Sequence, residues 1–171
     1  MIRSRTYGAA GATLAILLLA ACSQPPVPPP AAPSRDIVAA IRAAGADDHS
    51  VVEVAPLRDP AVDGLLADAH AAERAGQYRA ALDKTDAALK LSPDSPDILQ
   101  YRAELEVRLG DYPAAEADAR RSFELGPRLG GLCARNWQTV LEIERLKNDP
   151  AAEQTARSAR DQCHKAGPVR M

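Results

Sequence analysis

The chain predicts an all-α fold: a short solenoid of about three antiparallel helix hairpins, standing behind a leader and a proline-rich tether. Three observations predict it. From about residue 60 the sequence repeats with a period of 34: Gly76, Tyr78, Ala81, Ala88, Leu91 and Pro93 recur as Gly110, Tyr112, Ala115, Ser122, Leu125 and Pro127. Helix-start and helix-stop residues punctuate each half of the repeat. Alanine is abundant and β-branched residues are sparse after residue 60, which favours helices packed through small side chains. A period of this length is one pair of helices, which buries its apolar face only by stacking on its neighbours.

Residues 1–21 do not read as part of that fold. Arg3 and Arg5 form a positive start, and residues 14–20 (LAILLLA) are a short apolar run. The run is too short to span a bilayer comfortably and a polar, proline-rich stretch follows it, so it reads as a signal peptide. It ends Leu19-Ala20-Ala21-Cys22, which resembles the lipobox of bacterial lipoprotein precursors. That resemblance implies cleavage before Cys22 and covalent lipid, palmitate-like acyl chains included, on the new N-terminus. Each buried methylene would add about 0.8 kcal/mol to the anchor. Ser23 and Gln24 follow where lipoproteins retained at the inner membrane usually have Asp, so the resemblance implies outer-membrane sorting, facing the periplasm. Residues 25–33 (PPVPPPAAP) hold six prolines in nine positions, a stiff extended spacer. Residues 22–34 are thus a lipidated tether.

Residues 35–58 form an N-terminal appendage. Residues 35–44 predict a short helix with Ile37, Val38 and Ile41 on one face, ended by Gly45. The polar stretch 47–50 and the strand-like 51–54, stopped by Pro56, predict an extended piece lying on the helical domain. His49 reads as a solvated loop residue. The appendage is placed to cover one end of the solenoid, a homodimer contact being the alternative cover.

The repeat domain spans 59–166, followed by a tail at 167–171. Asp59-Pro60 pairs an N-cap with proline at the first helical position, and Ser95-Pro96 does the same. Gly76 and Gly110 stand where a helix end wants a left-handed residue. Helices are therefore expected near 60–75, 78–91, 96–109 and 112–125. Their inward faces should carry Leu65, Ala69, Ala81, Leu82, Leu89, Leu99, Leu105, Leu109, Ala115 and Phe123. A third, degenerate unit follows: 131–147 is a long amphipathic pattern, and Asp149-Pro150 restarts a helix. Pro113 to Pro150 is 37 residues rather than 34, so its first helix should be about three residues longer. The stretches GQYRAALDKTDAALKLSPD and GDYPAAEADARRSFELGP resemble the tetratricopeptide-repeat (TPR) family. The resemblance departs where the family has a large aromatic early in each first helix; Leu65 and Leu99 stand there, while Trp137 lies one turn later in the third unit, most simply as core.

Cys133 and Cys163 are equidistant from the Asn148-Asp149 turn, so an antiparallel hairpin sets them side by side. In the oxidising periplasm a disulfide is expected, closing a 30-residue span. A redox or metal pair with His164 is the alternative, but a structural zinc site wants four ligands, and no fourth is visible.

The chain shows no glycine-rich phosphate loop, no His-x-x-x-His and no Gly-x-Ser-x-Gly, so neither catalysis, a metal nor a cofactor beyond the lipid is expected. Removing residues 1–21 takes Arg3 and Arg5 and no acid, shifting the net charge from −2 to −4; nucleic acid, which needs a concentrated basic face, is excluded as a partner class. The TPR resemblance implies that a peptide or helix is held on the face lined by the first helix of each unit. By repeat position that face carries Asp63, Leu66, His70, Glu73 and Arg74, then Asp97, Gln100, Tyr101, Glu104 and Arg108, then Arg135 and Gln138. The Lys and Asn with which TPR proteins clamp a terminal carboxylate are absent. His70 is either a partner contact or a solvated helix histidine, and Tyr101 either a partner contact or packing against the preceding unit. The expected function is an envelope adaptor or scaffold holding other proteins. The alternative is a wall-associated lipoprotein that binds peptidoglycan or a wall-remodelling enzyme; the scarcity of aromatics disfavours direct glycan binding.

Overall fold

A computed structural model describes residues 35–46 and 58–164. The signal peptide, Cys22, the tether, the 47–57 segment with His49, and residues 165–171 lie outside these. The described residues form seven helices: α1 (Ile37–Ala46), α2 (Pro60–Arg74), α3 (Tyr78–Leu91), α4 (Pro96–Leu109), α5 (Tyr112–Leu125), α6 (Gly131–Lys147) and α7 (Pro150–Gln162). Three hairpins, α2–α3, α4–α5 and α6–α7, stack in order, with α3 against α4 and α5 against α6. The all-α, TPR-like solenoid read from the sequence is the observed fold.

The local signals work through specific bonds. The Asp59 carboxylate accepts from the Ala61 N–H, Asp111 from Ala114, and Asp149 from both Ala151 and Ala152, satisfying orphan donors at the helix starts. Ser95 differs from expectation. Its side chain makes no cap bond; its hydroxyl instead accepts from the Ser92 hydroxyl at 3.2 Å, leaving Pro96 to set the start. Gly76 and Gly110 take the left-handed φ of 73° and 79°. The third hairpin lacks a glycine there, and Asn148 fills the role with φ 57°. Asn tolerates that region better than other side chains. The longer first helix of this unit is 17 residues against 14 for α4.

Two aliphatic clusters make the core. One joins Val62, Leu66 and Ala69 of α2 to Ala81, Ala88 and Leu89 of α3 and to Ile98, Leu99, Tyr101 and Leu105 of α4. The other joins Ala103 and Val107 of α4 to α5, α6 and α7, and includes Val38 and Ile41 of α1. Of the expected inward residues, Leu65, Leu82, Leu109 and Phe123 are only half-buried. Two placements differ from the sequence reading. Gly45 does not end α1, which continues to Ala46. The appendage helix does not cover an end of the solenoid: α1 lies on the face formed by first helices, against α6 and α4.

A charged cluster ties the second helices to α4. Arg102 donates to Asp118 of α5, through Nε and through Nη2 at 2.7 Å, and to Asp86 of α3 at 3.2 Å. The Asp118 carboxylate, through its hydrogen bond, holds the guanidinium proton more tightly than usual. Glu106 is buried in the same cluster, with Oε2 lacking a partner. Burial first, and the Asp118 charge second, push its carboxyl up to about 8. A carboxyl raised on folding contributes stability that is complete below the unfolded value near 4.5 and is lost as pH rises through about 8. Thermal unfolding across that window should show falling stability in the wild type and a flatter profile in Glu106→Gln. An identical slope in the two proteins would mean that Glu106 is not the titrating group.

Cys133 and Cys163 are joined in a disulfide with Cα atoms 5.6 Å apart. It sits beside an edge-to-face pair of Phe123 and Trp137, centroids 5.0 Å apart. Trp137 is therefore core of the terminal hairpin. The crosslink ties the start of α6 to the end of α7. Cys133→Ser/Cys163→Ser should cost about 2–4 kcal/mol, read from urea unfolding; an unchanged midpoint would show that packing alone holds the last hairpin.

Candidate functional site

The face formed by α2, α4 and α6 is the expected binding face, and it already holds a helix. α1 runs antiparallel to α4 and α6 across it. At its start, the Asp36 carboxylate accepts from the Ala39 N–H at 2.9 Å and pairs with Arg108 of α4 at 3.0 Å. The Ala39 bond, with Arg108 beside it, holds the Asp36 carboxyl below its usual range. Arg35 donates both Nη atoms to the two oxygens of Glu142 on α6, at 3.0 and 2.8 Å. Val38 and Ile41 are 1% and 0% exposed, each side chain contributing about 1.5–3 kcal/mol by burial. At the far end α1 meets the first turn of α6. A Cβ on Gly131 would stand 2.6 Å from the Gly45 carbonyl oxygen, and one on Gly45 would stand 2.7 Å from the Arg135 side chain. This close approach is why glycine stands within the helix at 45 rather than after it.

Arg42 and Glu104 are at the centre. The Glu104 side chain is 0% exposed. It accepts from Arg42 Nε of α1 at 2.7 Å, from Arg135 Nε of α6 at 2.9 Å, and from Gln100 Nε2 one turn back at 3.1 Å. Gln100 also donates to Thr139 of α6 at 3.0 Å. Arg42 Nη2 reaches the other way, to Glu73 of α2 at 2.7 Å. Glu73 in turn accepts from the Tyr101 hydroxyl at 3.1 Å. Burial, then the Glu73 charge, raises the Tyr101 phenol, so it stays a donor. One arginine of α1 therefore links carboxylates on two successive hairpins, and one carboxylate links three helices.

The sequence-derived face residues separate into groups. Glu73, Glu104 and Arg108 bond to α1, and Arg135 joins them through Glu104. Gln138 is buried and donates to Glu142, the carboxylate that takes Arg35. Leu66 is core. Gln100 and Tyr101 are buried between first helices, so Tyr101 packs against the preceding unit. His70 is exposed, its ring tilted against Tyr101 with centroids 4.4 Å apart, and Arg74 is exposed. Asp63 and Asp97 lie toward the starts of α2 and α4, both beside Arg58. The sequence reading missed Arg35, Asp36, Arg42 and Glu142. Arg35 and Arg42 are seven residues apart, one just before α1 and one within it, and Glu142 lies one turn beyond Gln138; both spacings are visible in the sequence.

The bond pattern ranks two substitutions. Glu104→Ala removes the shared acceptor and leaves three donors facing a buried gap, costing about 3 kcal/mol. Arg42→Ala leaves Glu104 with two donor residues and removes a partly exposed guanidinium, costing about 1 kcal/mol. Equal losses in urea unfolding would contradict the central position of Glu104.

No helix among the described residues is long and apolar enough to cross a membrane. No family profile matches the chain, and no curated protein does. Among solved structures, it is similar to the globular C-terminal domain of LpoP from P. aeruginosa, at 25% identity and a TM-score of 0.54, over 63% of this chain and 98% of that one. The region of likeness thus spans nearly the whole of that domain.

Proposed function

We propose that this chain is a lipoprotein anchored in the outer membrane through Cys22, whose TPR domain faces the periplasm and holds another envelope protein. The observation that carries this reading is the inner face itself. It takes a helix by a small apolar strip flanked by charge-assisted bonds, the mode of a helix laid in a groove. The likeness to the LpoP domain supports the reading of the helical region as a globular C-terminal module behind an N-terminal tether. Thirteen residues at about 3.1 Å each give the 22–34 tether a reach of about 40 Å, which keeps the domain near the membrane and favours a partner that works there. An enzyme that builds or remodels the wall is the partner class that fits; the role is to hold and position it, not to perform chemistry.

Photocrosslinking in cells tests this. The crosslinker belongs at His70, exposed on α2, with Lys84, exposed on α3, as the control. A discrete protein adduct from His70 and none from Lys84 is the expected result, and mass spectrometry would name the partner. Adducts absent from both positions would overturn the adaptor reading in favour of a wall-associated structural role.

A further inference from the structure

We infer that α1 is a displaceable occupant of the inner face, and that the partner displacing it presents a basic amphipathic helix. This deepens the adaptor reading and rests on it.

Three observations carry the inference. First, α1 holds to the body through side chains and one tight backbone approach; among the described residues no backbone hydrogen bond joins it to α2–α7. Its outer face (Ala39, Ala43 and Ala46) is exposed, and only Val38 and Ile41 are fully buried. Val38 and Ile41 join one core cluster, and the three hairpins supply all its other members and the whole of the second. Second, the floor beneath α1 is acidic. Glu73, Glu104 and Glu142 stand on three successive first helices; the first two receive the guanidinium of Arg42 in α1, and Glu142 that of Arg35, two residues before α1. Glu104 and Glu142 have side chains 0% and 3% exposed. Donors of the body remain on each carboxylate when α1 lifts, Arg135 and Gln100 on Glu104, Gln138 and Arg145 on Glu142, and Tyr101 on Glu73, so the face tolerates the loss of α1, and a helix bearing arginines regains the bonds that α1 gives up. Charge complementarity therefore selects a partner helix with two aliphatic residues three apart and arginines seven residues apart, the pattern of Arg35, Val38, Ile41 and Arg42. Third, α1 is the described helix nearest Cys22 in sequence, starting 15 residues after it.

The face is then available only in the fraction of molecules in which α1 has lifted, and apparent affinity for a partner falls by that fraction. The test uses the full mature lipoprotein in detergent and a fluorescent peptide of residues 35–46 as probe. Two variants unseat α1: Val38→Asp/Ile41→Asp, and the milder Arg42→Glu, which changes an exposed side chain and turns two ion pairs into repulsions. Circular dichroism and thiol titration confirm that each remains folded and disulfide-bonded. Both variants should bind the peptide about tenfold or more tightly than the wild type, and a peptide with both arginines changed to glutamate should lose that gain. Folded variants that bind no better than wild type would show α1 to be a fixed part of the fold. Equal binding of the acidic peptide would overturn the choice of partner. A wild-type chain that forms dimers by exchanging α1 would overturn it too, making a second copy the occupant. Each of these outcomes is independent of whether His70 captures a partner in cells.

Discussion

The inner face depends on the neutralisation of one buried carboxylate. Glu104 lies where α1, α4 and α6 converge, out of contact with water, and donors from all three helices satisfy it. A charge at that depth is tolerable only when paired and hydrogen-bonded. Its presence therefore fixes where Arg42 and Arg135 must be, and through Arg42 where α1 lies relative to α2. Moving any of these helices by a turn would take away one of its donors. The same logic recurs on the other side of α4, where Arg102 spans Asp86 and Asp118. α4 is thus held from both faces by charge pairs that bridge hairpins, while the aliphatic clusters supply the bulk of the burial.

The ends of the stack are treated differently from its middle. Among the described residues the middle hairpin has a hairpin on each side, and α6–α7 has one on one side. Here the terminal hairpin has a longer first helix, a left-handed Asn148 in place of glycine, an aromatic pair against α5, and a disulfide. The crosslink adds stability by restricting the unfolded chain.

For function, the consequential point is that the face a repeat protein would offer to a partner is covered by its own chain. The covering helix brings little apolar surface and much charge. Such a contact is specific in what it accepts, because buried carboxylates discriminate strongly between a basic helix and any other.

Much of this fold was legible along the chain. The 34-residue period, the Asp-Pro starts and the left-handed glycines act within a few residues, so α2 to α5 were placed to within a residue and the extra length of α6 followed from one proline spacing. The disulfide followed from hairpin symmetry about Asn148. The site was legible only by position. Repeat arithmetic named Glu73, Glu104, Arg108 and Arg135, but could not say that Tyr101 and Gln100 would be buried between helices. Nor could it say that Gly45 marks a close approach rather than a helix end. Those outcomes depend on which surfaces meet across 60 to 100 residues of sequence, and no local propensity encodes that. The sequence by itself determined the helices and their pairing, because each rests on short-range geometry. Only the tertiary structure decided that α1 occupies the inner face, because that choice is made by matching three distant carboxylates to two arginines, a pairing that exists only once the solenoid has formed.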